Sequence, residues 1–273
     1  MAKIALAALE SALRARKLDG TLTTALPSIE RHDEAACLPT GMAAVDACLR
    51  NGVPRGQLSE LAGPRSSGRT TVLLQLLAAA TRRGELAAVV DTFDRLDVAS
   101  ADAAGIDLTR LLWIRGQALS KIDTAIDSRW TPGGTAGSDV VGTRGARVGG
   151  PLERTIDRAL KALNLVLQAG GFGVVAIDLA DVPGSALRRI PFTTWLRVQR
   201  AVEGRDTACV LVTPEPLSRS AGGLTLTLTG RTTWTGTGER RRVAGADVQM
   251  HVVSPRRRVG GDVVVAARAA EGW

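Results

Sequence analysis

Cysteine, histidine and lysine are scarce in this sequence, at three, two and four residues of 273, and no long apolar run occurs. Cys37, Cys48 and Cys209 are odd in number and widely spaced. They make neither a disulfide framework nor a zinc site, which suits a reducing compartment. His32 and His251 stand far apart with no ligand or triad partner near them in sequence, and read as surface or edge-strand residues. No uninterrupted apolar stretch approaches the ~20 residues that span a bilayer. Glu10 and Arg14 interrupt the one apolar segment near the start. Neither a secretory leader nor a membrane span is expected, and a cytoplasmic location is. Aromatics are 3% of the chain; Trp113, Trp195 and Trp234 are assigned to the core or a subunit contact, which leaves Trp130 to serve a partner.

What is present is a globular composition, 45% hydrophobic and 23% charged, which excludes wholesale disorder. The formal net charge is +8, which favours a polyanionic partner and says little about fold. Residues 188–258 hold thirteen arginines against five acids, so this stretch alone carries a net +8. The triple runs Arg240–Arg242 and Arg256–Arg258 place like charges side by side, and a polyanion would relieve their repulsion. Arginines scattered over a solvated face and paired with acids elsewhere are the competing reading.

Residues 3–18 pattern as a short amphipathic helix and 21–26 as a small strand, giving an arm over 1–35. From residue 36 onward the rhythm alternates. Strands are predicted at 57–62, 86–91, 111–114, 173–178 and 208–213, and helices at 71–83, 152–169 and 192–202. Such alternation implies parallel βαβ units and a doubly wound α/β sheet flanked by helices. Residues 128–150 hold seven glycines without apolar period and read as a mobile insertion. Past residue 223 the helices stop, and 224–229, 232–236, 248–253 and 263–267 pattern as short antiparallel strands at the C-terminal end.

The chemistry concentrates at Gly63-Pro64-Arg65-Ser66-Ser67-Gly68-Arg69-Thr70-Thr71. The segment follows a predicted strand and opens a helix, in the frame of a phosphate-binding loop. Gly63 and Gly68 let the backbone wrap an anion so that successive N–H groups point inward. Thr70 is placed to ligate Mg²⁺, and Asp178, at the end of an apolar strand, fits the second acidic ligand. The basic position is Arg69 where a lysine is usual. Its wide, flat fork keeps the charge and disturbs close phosphate packing. A loop that holds its shape and binds nothing is the competing reading.

The order of residues in 38–75 (LPTGMAAVDACLRNGVPRGQLSELAGPRSSGRTTVLLQ) resembles the core of the RecA recombinases. The likeness extends over most of the chain. Residues 3–26 are similar to the RecA arm that docks on the next protomer, implying self-association, while the chain stops where the small RecA C-terminal domain would follow. The resemblance implies ATP and Mg²⁺ as cofactors. It also places Phe93 where RecA carries the water-activating glutamate, and Pro214 where it carries the γ-phosphate sensor, so no catalytic residue is expected at either. Ser254 and Arg256 fall at the two interface lysines. The DNA loops correspond to 180–191 and 215–223, which makes Arg188, Arg189, Arg219, Arg240, Arg241, Arg242 and Arg256 the candidate DNA- or partner-binding residues.

A narrower likeness lies in LKALNLVLQAGGFGVVAIDLADVPGSALRRIPFTTWLRVQR (160–200) and CVLVTPEPL (209–217). These resemble the RecA-like accessory proteins of bacterial translesion mutagenesis cassettes, the ImuA class. That resemblance implies an adaptor or regulator of an error-prone polymerase complex, within DNA repair and the SOS response. Its implied partners are the polymerase subunits, RecA and single-stranded DNA, with weak or absent ATPase activity. An active ATP-dependent recombination ATPase is the alternative. A small-molecule kinase, a third reading, lacks lid arginines in a coherent motif.

Overall fold

The computed structural model describes residues 37–49, 51–116, 150–217, 223–253 and 260–268. The arm over 1–35, most of the 128–150 insertion with Trp130, and Arg219, Ser254 and Arg256–Arg258 lie outside the described residues. So does His32.

A two-strand antiparallel pair, β1 (Cys37–Leu38) and β2 (Val53–Pro54), brackets α1 (Ala43–Leu49). Asp46 on α1 turns back to accept from the Thr40 N–H at 2.7 Å and its hydroxyl at 2.8 Å, which fixes the entry to the helix. An eight-stranded sheet follows. Its parallel part uses β3 (Leu58–Ala62), β4 (Leu86–Asp91), β5 (Leu111–Arg115), β6 (Phe172–Asp178), β7 (Ala208–Thr213) and β8 (Thr225–Thr235). Two antiparallel strands, β9 (Arg242–Val253) and β10 (Gly260–Arg268), extend it, giving the order β10-β9-β8-β3-β7-β6-β4-β5. The connecting helices are α2 (Arg69–Arg82), α3 (Val98–Ala103), α4 (Pro151–Ala169), α5 (Gly184–Leu187) and α6 (Phe192–Val202).

Alternation along each strand sorts the core into two layers. Ala87 and Val89 of β4 join Leu73, Leu76 and Leu77 of α2 in one cluster, whereas Ala88 and Val90 join Leu160, Leu163 and Leu167 of α4 and Trp195 of α6 in the other. Inner strands buried on both faces read as unbroken apolar runs, which is why LAAVVD and ACVLVT carry so few polar positions. α4 begins with Pro151 at its first position, and the Glu153 carboxylate accepts from the Gly150 N–H at 3.0 Å. Each fully buried leucine on its inner face contributes about 1.5–3 kcal/mol.

The C-terminal strands differ from the sequence reading. Thr225–Thr235 is one strand rather than two, and it forms a long hairpin with β9. Gly230, whose place between the two predicted strands suggested a break, lies inside the ladder. A Cβ there would sit 2.2 Å from the Ser66 carbonyl oxygen, so the glycine marks the close approach of another segment.

Candidate phosphate-binding site

The loop 63–68 joins the end of β3 to the start of α2 and lies against the β8–β9 hairpin. Ser66 (φ 59°) and Gly68 (φ 91°) both take left-handed conformations, the alternation that curls a backbone into a concave nest. Close packing makes glycine obligatory at three places. A Cβ on Gly63 would fall 2.4 Å from the Leu228 carbonyl oxygen, one on Gly68 2.6 Å from a Val248 methyl, and Gly230 faces Ser66 as described. The hairpin thus forms a wall. Between it and the loop lies a cleft of about 320 Å³, lined by Ser66–Thr71 on one side and by Thr232, Val243, Gly245, Ala246 and Val248 on the other. Ser67 is 1% exposed, and its hydroxyl, packed beside Gly63, has no hydrogen-bond partner. Thr70, in the first turn of α2, is exposed.

Arg69 does not point along the loop. Its guanidinium is buried and donates to the Thr213 carbonyl oxygen at the end of β7 at 2.7 Å, an oxygen that also accepts from the Gly63 N–H at 3.2 Å. Burial pulls its pKa below the ordinary value, against the opposing pull of Asp178 and Asp181. Thr213 is tied further: its hydroxyl donates to the buried Glu60 carboxylate at 3.1 Å, which also accepts from the Leu217 N–H at 2.8 Å. The basic position of the loop is therefore built into the floor beneath Pro214.

Asp178 ends β6, in register with Asp91 on β4. Burial raises its pKa, the Ala180 N–H at 2.8 Å lowers it, and the charge of Asp91 raises it again. Asp91 is saturated. Its two oxygens accept from the Arg95 and Leu96 N–H groups at 2.8 Å each and from the Trp113 indole at 3.0 Å. Phe93 packs its ring against the α4–α6 cluster. Asp94 (φ 56°) turns to accept from the Gly116 N–H at 2.8 Å and pairs with Arg115 at 3.5 Å. A fourth carboxylate, Asp181, bridges Arg65 of the loop at 3.1 Å and Arg95 at 2.9 Å. Neither Asp181 nor Arg95 stands out in the sequence as a site residue; their charges sit in different loops, and only the sheet order brings them together.

The candidate DNA or partner residues divide among elements. Arg188 pairs with Glu215, and Arg189 with Glu153 at 3.5 Å. Arg240 lies in the turn of the β8–β9 hairpin, Arg242 opens β9, and Arg241 stacks on Trp234 with its guanidinium carbon 4.7 Å from the ring centroid. Trp234 is half exposed here, whereas Trp195 is buried in the core and Trp113 is held by Asp91. His251 faces Asp262 across the β9–β10 ladder, 2.8 Å away. Among the described residues no cluster of three His, Cys, Asp or Glu side chains could hold a metal, and no helix is long and apolar enough to cross a membrane.

In this sheet β3, which leads into the loop 63–68, lies between β7 and β8, beside the C-terminal antiparallel strands. Residues 13–130 match the RecA N-terminal domain. This part of the chain is similar to that domain. Protein RecA of Rubrobacter xylanophilus is 38% identical over 126 residues, which is 39% of this chain and 37% of that protein. Protein RecA of Symbiobacterium thermophilum is 46% identical over 76 residues, 28% of this chain and 22% of that protein. For Protein RecA of Lactobacillus delbrueckii subsp. bulgaricus the figures are 38% over 108 residues, 39% and 33%. The match thus spans little more than a third of these relatives at most. The family match over residues 13–130 takes in β3, the loop 63–68, β4 and Phe93.

Proposed function

We propose that this RecA-like chain is an accessory protein of bacterial translesion mutagenesis, an adaptor or regulator of an error-prone polymerase complex, and that it holds a nucleotide without turning it over efficiently. The observation that carries the second half is the route of Arg69, which spends its guanidinium on the Thr213 carbonyl. Phe93, packed in an apolar cluster, offers no base for activating water, and Asp94 beside it is engaged by Gly116 and Arg115. The first half rests on the likeness of 160–200 and 209–217 to the ImuA class.

The residues present fit a phosphate group. The nest at Ser66 and Gly68 and the cleft beside it support this reading, and the close approach of the hairpin leaves no room for side chains at Gly63, Gly68 or Gly230. Ser66 through Thr71 would hold the phosphates of ATP, and Thr70 with Asp178 would hold Mg²⁺. When bound, Mg²⁺–ATP supplies a triphosphate charge and a hydrolysable bond. The chain's own contribution is to bind and orient that group while leaving water unactivated. General-base assistance is worth about 10²–10⁴-fold, so turnover is expected to be feeble by that factor.

ATPase measurement with and without single-stranded DNA, beside co-purification with error-prone polymerase subunits, tests the reading. Near-silent turnover with stable co-purification supports it. Strong DNA-stimulated hydrolysis with no polymerase capture would establish a recombination ATPase instead.

A further inference from the structure

Arg69 is the loop's cation by position, yet it is buried on the Thr213 carbonyl. The cations that do reach solvent beside the loop are Arg65 and Arg95, with side chains 82% and 66% exposed. Both are anchored at their roots. Arg65 precedes the left-handed Ser66, and the Arg95 N–H is fixed by Asp91, itself held by Trp113. Their guanidiniums meet on the two oxygens of Asp181. One carboxylate cannot neutralise two guanidiniums, and each of these carries five N–H donors of which Asp181 uses few. The cluster therefore keeps a positive charge and free, planar donors, the geometry that grips a phosphate in bidentate fashion. Asp178, Asp181 and Arg65 are near enough to act on the charge of Arg69, which sets the cluster against the loop rather than elsewhere on the surface.

We propose that Arg65 and Arg95, gathered by Asp181, are the phosphate-reading cations of this loop in place of Arg69, and that they make binding depend on the number of phosphates a nucleotide carries. The proposal rests on the reading that nucleotide occupies the Gly63–Thr71 loop. Asp181 is a positioning residue: it keeps two like charges together and yields their donors to phosphate.

Equilibrium titration of a fluorescent ATP analogue, with ATP, ADP and AMP as competitors, tests both the loop and the arginines. Gly68→Val blocks the loop; Arg65→Ala with Arg95→Ala removes the cations and leaves the loop glycines intact. The expected result is tight ATP binding by the parent, none by Gly68→Val, and a loss of roughly tenfold to a hundredfold for ATP in the double arginine variant. The loss for ADP is expected to be smaller, and for AMP slight. Asp181→Asn, which removes the carboxylate that gathers the two guanidiniums, is expected to weaken ATP and to narrow its advantage over ADP. Equal ATP affinity in the parent and the double variant, with binding still lost in Gly68→Val, overturns the arginine assignment alone. The same loss for ATP, ADP and AMP also overturns it, because the arginines would then be supporting the loop. Equal binding by the parent and Gly68→Val overturns the underlying loop reading instead.

Discussion

Arg69 and Asp178 show how burial reassigns residues whose types alone suggest another role. Asp178 carries its charge at a cost, because burial, Asp91 and Asp181 raise its pKa above 3.8 while the Ala180 N–H and Arg69 offset only part of that. The folded chain then holds the Asp178 proton more tightly than the unfolded chain does. Stability falls as pH rises through the window above 3.8 and stays lower beyond it. Asp178→Asn, which keeps an acceptor for Ala180, is expected to melt at higher temperature than the parent at pH 7. The difference should close as pH drops below about 4, where unfolded carboxyl groups are also protonated. A lower melting temperature at pH 7 would count against this account. The cysteines offer a second test. Burial pushes the Cys209 thiol up to about 12, and Cys37 is buried too, whereas Cys48 is partly exposed. Alkylation of the native protein at pH 8 followed by peptide mapping should modify Cys48 first and leave Cys209 untouched until unfolding.

At the scale of elements, the β8–β9 hairpin is both an extension of the sheet and a wall of the cleft beside the loop 63–68. Gly230 is where the two duties meet, since any Cβ there presses on the Ser66 carbonyl. Gly230→Ala is expected to cost about 1–3 kcal/mol through overpacking. It should also lower nucleotide affinity, because the loop backbone is the part that must move. Calorimetry and titration of the same variant check this: a stability loss with unchanged affinity would show that the strain is absorbed by the hairpin. On the opposite layer, Leu163 is fully buried among the α4–α6 residues, far in sequence from the loop. Leu163→Ala is expected to cost about 2–5 kcal/mol with little change in nucleotide affinity, which separates general destabilisation from loop damage.

For the whole molecule, the +8 net charge favours polyanions, but the structure distributes it unequally. Arg188 and Arg189 are drawn onto Glu215 and Glu153, while Arg240, Arg241 and Arg242 gather at the exposed end of a hairpin with half-exposed Trp234 under Arg241. If single-stranded DNA binds this tip, replacing Arg240–Arg242 by alanine is expected to weaken it and to flatten the dependence on salt. The log–log slope should fall by about 0.7 for each phosphate that the variant no longer neutralises. Trp234→Ala is expected to weaken binding without changing that slope, because stacking releases no counterions. Unchanged affinity and slope in the triple variant would make the tip solvated surface.

Local sequence determined the inner strands and the longer helices of this chain, because these are encoded within short windows. Apolar runs specify strands buried on both faces, a 3.6-residue period specifies α4 and α6, and two glycines around a Ser-Ser pair specify the nest. The α/β architecture with antiparallel strands at its end was legible for the same reason. The tertiary structure alone decided what depends on strand order. It carried Arg69 under Thr213, brought Asp181 of one loop to Arg65 and Arg95 of two others, and pressed Gly230 on Ser66, so that a residue suggesting a break became a point of close approach. Hydrogen bonds and ion pairs between residues far apart in the chain leave no local pattern, since each partner is an ordinary polar residue until the sheet sets them side by side.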